Sequence, residues 1–525
     1  MPFYLGKMRG NSGDQKIPDQ SFPHLEKSME PLAPAISSPP IIEDSSTPHH
    51  RRRLFHRRSP HHRSSQSSIK HAKHIPSDLI KDLTTDSSIH TSSKSLEEIG
   101  LEYREARRGL LLSPPTPSDD GILQIGGLLN HNGTSCYMDS IIFALFATSQ
   151  AYDALINPPT SSSSSSRTSS RASSPFQPAS SKVDSKVTEE LRIQLRVIVN
   201  RLRSGRTVRI PFVAHLRRIL YRSGWVGTRE TQEDATEFFL HLTSILGGPL
   251  VPLTRTLKYS LMNGPGSFSS SSSSSSSFST TNKGKDTTIT SERFLTLHLP
   301  KSPSNPHPSS QDRDNQSPPL LILEDLIRIY LRGSSIQGLE REGRRVNAQE
   351  IIQVHPFWTS ESPVGTETHL RRSAFPTLSL PMVLNRYAWD PATGSAIRDD
   401  RAISCPLVLD WSKARLAPVR DAHLVLHSAV CHEGNSPQSG HYTTWTLSQN
   451  CLRCWKADDL DSPPIRSRSM TEMLNDIALN GYLLFYECWP TTPLKAFLRG
   501  LQGPDTIGTE MDKCDIDDDR PTPHH

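Results

Sequence analysis

Between residues 121 and 490, short apolar runs of helical and of strand period alternate with long polar stretches. The first run, Cys136-Tyr-Met-Asp-Ser-Ile-Ile-Phe-Ala-Leu-Phe146, is almost continuously apolar after Ser140 and predicts a mostly buried helix. Thr134 or Ser135 is placed to cap it. Val187, Leu191, Leu195, Ile198, Val199 and Leu202 recur at three- and four-residue steps among charges, the spacing of an amphipathic helix. A further apolar set runs from Phe212 to Leu220. Thr231-Gln-Glu-Asp-Ala-Thr-Glu-Phe238 then opens a helix with an acidic first turn and with Phe238, Leu242, Ile245 and Leu246 inward. Leu323 to Tyr330 reads as another helix, and Phe294 to Leu299 alternates as a strand does. From Thr377 onward strand runs dominate: 378–387, 405–411, 423–430, 440–447, 452–456 and 481–487. Helices first and strands after predict an α+β domain of two lobes.

Composition confines that domain. Hydrophobic residues make up only 34% of the 525, and Pro and Ser come in blocks. Residues 1–120 read as a disordered basic, Ser/Pro-rich region, with eight Lys/Arg and no acid between 45 and 77, a composition that fits nuclear import, an anionic surface or plain solvation. Low-complexity insertions are expected at about 158–182, 264–285 and 301–318, and an acidic disordered tail at 491–525. Seven scattered cysteines, odd in number, fit reduced thiols of the cytosol or nucleus. Neither a leader nor a run long enough to span a bilayer is visible, and a net charge of +5 makes no case for nucleic acid.

Chemistry concentrates at three places. Cys136 sits in the first turn of its helix, where the dipole favours thiolate, after glycines that let another backbone approach. Alone, a cysteine there is most simply a buried structural residue. His441 opens a strand after the Gly434–Ser439 loop, and Asp458 and Asp459 lie at the end of the next one. A cysteine nucleophile needs a base, and the base needs a group that fixes its tautomer. Cys on a helix with His and Asp on strands, in that order, is the papain-like arrangement.

Four separated blocks carry a more specific likeness: Gly127-Leu…Thr-Ser-Cys136-Tyr-Met-Asp-Ser; Gln232-Glu-Asp-Ala-Thr-Glu-Phe238; Leu424-Val-Leu-His-Ser-Ala-Val…Gly440-His-Tyr-Thr-Thr-Trp445 running on to Trp455-Lys-Ala-Asp-Asp459; and Tyr482-Leu-Leu-Phe-Tyr-Glu487. In this order they resemble the ubiquitin-specific protease family over residues 121–490, and Asp139 makes the cysteine block most similar to the cylindromatosis-type branch. The resemblance implies a papain-like cysteine protease with a helical lobe, a β-rich lobe and β fingers. Its activity would be thiol-dependent hydrolysis after ubiquitin's C-terminal glycine, with ubiquitin and ubiquitinated proteins as partners and no cofactor. It further implies Cys136 as nucleophile, His441 as base and then acid, and Asp458 as orienting group with Asp459 as the alternative. Asp234 and Glu237 match the positions that grip the basic ubiquitin tail.

The chain departs from the family in three respects. The oxyanion-hole Asn slot holds His131, leaving Asn130 and Asn132 as candidates. Ala457 replaces the aromatic before the third catalytic residue. The zinc ribbon of two Cys-x-x-Cys pairs has no counterpart, and Cys451-Leu-Arg-Cys454 offers too few ligands for a closed zinc site, so no metal is expected. The alternative function is a catalytically silent ubiquitin-binding scaffold, whose sign would be a lost triad residue. A broad papain-like endopeptidase would normally bring a leader and disulfides.

Overall fold

Caps and chain breakers set the helices close to where the apolar spacing predicts them. The computed structural model describes residues 73–85, 93–115, 124–157, 183–227, 231–251, 253–261, 287–300, 320–341, 344–354, 378–390, 394–416, 422–448 and 453–490. Its helices are α1 (Ser77–Thr85), α2 (Ser93–Arg107), α3 (Cys136–Phe146), α4 (Asp153–Ile156), α5 (Ser185–Arg203), α6 (Ile210–Arg222), α7 (Ala235–Leu246), α8 (Leu323–Leu331), α9 (Trp411–Ala414) and α10 (Met470–Asn480). The Asp184 carboxylate accepts the Lys186 N–H and starts α5, Pro211 occupies the first turn of α6, and Ser469 with Glu472 closes a capping box on α10. Helix α3 departs from expectation: neither Thr134 nor Ser135 caps it by its side chain. The Ser135 hydroxyl instead accepts the His131 N–H at 2.8 Å and donates to Asp139 at 2.5 Å.

The strands are β1 (Leu253–Leu261), β2 (Thr287–Glu292), β3 (Leu295–His298), β4 (Leu321–Ile322), β5 (Ser335–Arg341), β6 (Arg344–Val354), β7 (Ser379–Asn385), β8 (Tyr387–Asp390), β9 (Ser395–Arg398), β10 (Ile403–Ser404), β11 (Val408–Leu409), β12 (Ala422–Ser436), β13 (Ser439–Leu447), β14 (Cys454–Ala457), β15 (Ile465–Arg468) and β16 (Gly481–Pro490). The main sheet runs β15-β14-β13-β12-β16-β7-β3, with β11 paired to β12. Only its β3–β7 edge is parallel among these pairs. A separate sheet, β2-β1-β6-β5, forms the fingers.

The main sheet is buried on both faces, which explains why its strands read as continuous apolar runs. Along β16, Leu483 and Phe485 join the helical core, while Leu484 and Tyr486 join a second core beneath α8 and α10. Period-two alternation thus serves two cores at once. All eleven residues of α3 are buried against this sheet and α7.

Part of the N-terminal region expected to be disordered is folded. Leu79 and Leu83 on α1, and Ile99, Tyr103 and Ala106 on α2, lie in the helical core. Their three- and four-residue spacing is helical, but the surrounding Ser, His and Lys hide it in the average composition. Acidic groups on these helices meet bases of α5 and α6. Asp78 pairs with His215 at 3.0 Å and Arg218 at 3.1 Å, and Glu102 pairs with Arg201 at 2.8 Å and Arg206 at 2.7 Å. The remaining expectations for 1–72, the three insertions and 491–525 lie outside the described residues.

Leu79 has no exposed surface. Leu79→Ala is therefore expected to cost about 2–5 kcal/mol in equilibrium unfolding. A loss below about 0.5 kcal/mol would show that α1 is an appendage to the domain.

Candidate active site

Cys136 is the first residue of α3, and its side chain is almost wholly covered. The helix is held in depth by hydroxyls of the sheet. Thr444 of β13 donates to the Ser140 carbonyl at 2.9 Å, and Ser428 of β12 donates to the Ala144 carbonyl at 2.9 Å. The strand that grips α3 through Thr444 also carries His441.

His441 needs a special backbone just before it. Gly440 has φ +112°, and a Cβ there would stand 2.1 Å from the Glu433 carbonyl oxygen, so only glycine fits. Glu433 pairs with His441 across β12 and β13, at a register shift that ends regular pairing. The imidazole is half-buried. Its Nε2–H donates to Asp458 Oδ1 at 2.8 Å, and the sulfur of Cys136 is close enough to act on its charge. Burial alone would lower its pKa. The hydrogen bond to Asp458 and the nearness of the Cys136 sulfur, with the negative fields of both, raise it to about 10. At neutral pH His441 is therefore an imidazolium, the charge state that stabilises an adjacent thiolate.

Asp458 and Asp459 follow the end of β14, so strand alternation does not separate them. Both approach the imidazole: Asp459 Oδ1 lies 3.8 Å from Nε2. Asp458 also accepts the Leu460 N–H at 3.1 Å. Burial opposes ionisation of Asp458, but the His441 hydrogen bond and the Leu460 N–H outweigh it and lower its pKa. For Asp459 burial wins and its pKa rises, although His441 pulls the other way. Asp459 also faces Asp139 of α3, a still more deeply buried carboxyl held well above its usual range by burial and by Asp459 itself.

The loop before Cys136 is tied inward. Asn130 Oδ1 accepts the Ser135 N–H at 3.2 Å, which orients its amide group toward Asp459. Asn132 is exposed at the loop tip with φ +59°, away from these bonds. His131 Nδ1 accepts from Arg217 of α6 at 3.1 Å, and Arg217 also donates to Thr134 at 3.0 Å. Of the two oxyanion candidates, Asn130 is thus the one built into the site wall.

Sequence reasoning passed over Gln232. Its Oε1 accepts from the Cys136 thiol at 3.7 Å, while its Nε2 is buried without a hydrogen-bond partner. Its place in the acidic block that opens α7 was the available signal. Asp234, expected to grip a basic tail, also has a role within the fold. Asp234 is buried as the N-cap of α7, where Oδ1 accepts the Thr236 N–H and hydroxyl, both at 2.7 Å, and Oδ2 accepts the Tyr482 hydroxyl at 2.8 Å. A carboxylate so placed ties the start of α7 to β16. Glu237, one turn on, is exposed.

Other thiols lack such surroundings. Burial pushes Cys405 and Cys488 up to about 12 and raises Cys431 as well. Among the described residues, the group of side chains spaced for a cation is His441, Asp458 and Asp459. Its Nε2 proton already joins the first two, so the cluster is accounted for as a charge network.

A family profile described as ubiquitin carboxyl-terminal hydrolase matches residues 126–486, more than half of the chain. No curated protein sequence matches it significantly. Among solved structures it is similar to the SAGA DUB module of Ubp8, Sgf11, Sus1 and Sgf73 bound to monoubiquitin, at a TM-score of 0.40 and 15% identity over 76% of each chain. With a helical lobe, a β lobe and fingers arranged as a papain-like fold, the chain belongs to the ubiquitin carboxyl-terminal hydrolase family.

Proposed function

We propose that this chain is an active thiol-dependent deubiquitinase that hydrolyses the isopeptide or peptide bond after ubiquitin's C-terminal glycine. The observation that carries this reading is the His441–Asp458 hydrogen bond at 2.8 Å, set beside the Cys136 sulfur at the start of α3. With Nε2 spent on Asp458, Nδ1 is left to face the sulfur. The thiolate adds to the scissile carbonyl and forms a tetrahedral oxyanion. The start of α3, free of a side-chain cap, and the Asn130 amide are the donors nearest that oxygen. Gln232, once its amide turns Nε2 toward the sulfur, adds a third.

Collapse of the intermediate breaks the C–N bond, and the imidazolium gives its Nδ1 proton to the leaving amine. The thioester remains on Cys136. The now neutral His441 takes a proton from water, whose oxygen adds to the thioester carbon and expels the thiolate. Asp458 holds the ring through both steps. Glu237, exposed on α7, supports a contact with a basic substrate tail.

Full-length chain incubated with ubiquitin bearing a C-terminal electrophile is expected to gain one ubiquitin by intact mass, and Cys136→Ala to gain none. An adduct that survives this change would overturn the assignment, and binding without any adduct would favour the silent scaffold.

Asp458→Ala is expected to lower kcat on ubiquitin–fluorophore by roughly 10²–10⁴, because an unoriented imidazole is a poor base. A kcat near wild type would remove Asp458 from the triad.

Charge-assisted contacts contribute about 1.5–3 kcal/mol. Glu237→Gln should therefore reduce kcat/KM by about tenfold or more, with the fold intact. An unchanged value would show that the tail is held elsewhere.

A further inference from the structure

Asp139 and Asp459 form a second acidic pair beside the triad, and nothing in the mechanism above uses it. Asp139 lies three residues after Cys136 on α3 and is 4% exposed. Its Oδ2 accepts from Ser135, while its Oδ1 is buried with no N–H or O–H partner. The Asp459 side chain is 6% exposed, and neither of its carboxylate oxygens has a donor in hydrogen-bond geometry. Both carboxyls line one small cavity together with Cys136, Ser140 and Asp458. Three buried acceptor oxygens therefore sit at this cavity with no donor in hydrogen-bond geometry, and a buried acceptor without a donor is costly.

We propose that Asp139 and Asp459 share one proton, and that this acid–carboxylate pair positions Asp459 so that Asp458 alone holds the His441 imidazolium. The proton supplies the missing donor and leaves the pair with one negative charge instead of two. The proposal rests on the deubiquitinase reading and adds positioning residues to it.

The surroundings set how firmly the proton is held. Arg217 on α6 and His441 on β13 favour ionisation of the pair. Burial opposes it, as do Asp458 beside Asp459 and the negative charge each carboxyl presents to the other. Tyr137 on the same helix turn is itself buried and held neutral, and Asn130 lies against Asp459 without full hydrogen-bond geometry. Burial and mutual repulsion prevail, and both carboxyls are held above their ordinary range.

An Asn at 139 would offer Asp459 a permanent N–H. An Asp offers a donor, its O–H, only while protonated, which makes the link titratable. Loss of the proton leaves two facing anions in the site wall. It also frees a second carboxylate, 3.8 Å from Nε2, to compete with Asp458 for the imidazolium. Activity should therefore fall on the alkaline side as the pair loses its proton.

The test compares wild type, Asp139→Leu and Asp139→Asn, each as the full chain, by kcat against pH on ubiquitin–fluorophore. Asp139→Leu is expected to lose kcat roughly tenfold or more at neutral pH. Asp139→Asn should recover most of that loss and move the alkaline limb upward by about one pH unit or more. An alkaline limb identical in wild type and Asp139→Asn would overturn the proposal. Difference infrared spectra give a readout that needs no turnover. A protonated-carboxyl C=O band should be present at neutral pH in wild type and lost in Asp139→Asn. Absence of that band in wild type would also overturn the shared proton. A wild type that shows the band but turns over no substrate would refute the deubiquitinase reading alone.

Discussion

The site depends on one mechanical constraint: a helix buried on every side is fixed in depth by hydroxyls of the strand that carries its base. An apolar helix such as α3 could slide or rotate in a purely apolar groove at modest cost. Thr444 and Ser428 prevent this by binding the Ser140 and Ala144 carbonyls, and Thr148 past the helix end meets His427 at 3.0 Å. Because β13 supplies both Thr444 and His441, the position of the sulfur relative to the imidazole is set within one strand. The glycine before His441 then turns the chain so that the ring leaves the strand toward α3.

Charge is distributed unevenly across the same wall, and burial decides how. Asp458 is partly solvated, accepts two N–H groups and stays ionised. Its neighbour Asp459, deeper and without donors, keeps a proton in common with Asp139. Two adjacent aspartates thus do different work because their surroundings push their proton affinities apart. The same logic acts on the buried thiols Cys405, Cys431 and Cys488, which burial holds in the protonated form.

How much of this the sequence showed follows from how local each signal is. Helix periods and the apolar strand runs were legible because each depends on residues a few positions apart. The order Cys136, His441, Asp458 was legible through resemblance. The equivalence of Asp458 and Asp459 in reach was not, since a turn after β14 replaces the alternation a continuing strand would impose. Asp234 shows the same limit: a carboxylate before a helix satisfies both a motif and an N-cap, and its bond to Tyr482 is visible only in the fold. Thr444 carries no local signal, and Gln232 only its place in the acidic block, because their importance arises from residues some hundred to three hundred positions away.

The N-terminal helices show why a family match does not bound a folding unit. The matched region starts at Gly126, yet the core it encloses needs Leu79, Leu83, Ile99 and Tyr103 to cover α5 and α6. The connection reaches the site through α6. His215 and Arg218 on one side of that helix bind Asp78 of α1, while Arg217 on the other binds His131 and Thr134 in the loop before Cys136. Arg203 joins the two ends differently: its buried guanidinium donates to the Leu112, Phe146 and Ser149 carbonyls and pairs with Asp153 at 2.6 Å. A single cation therefore holds the segment upstream of the matched region against the end of the nucleophile helix. Any force that displaces α1 and α2 is transmitted to both ends of α3, through Arg217 at its start and Arg203 at its finish.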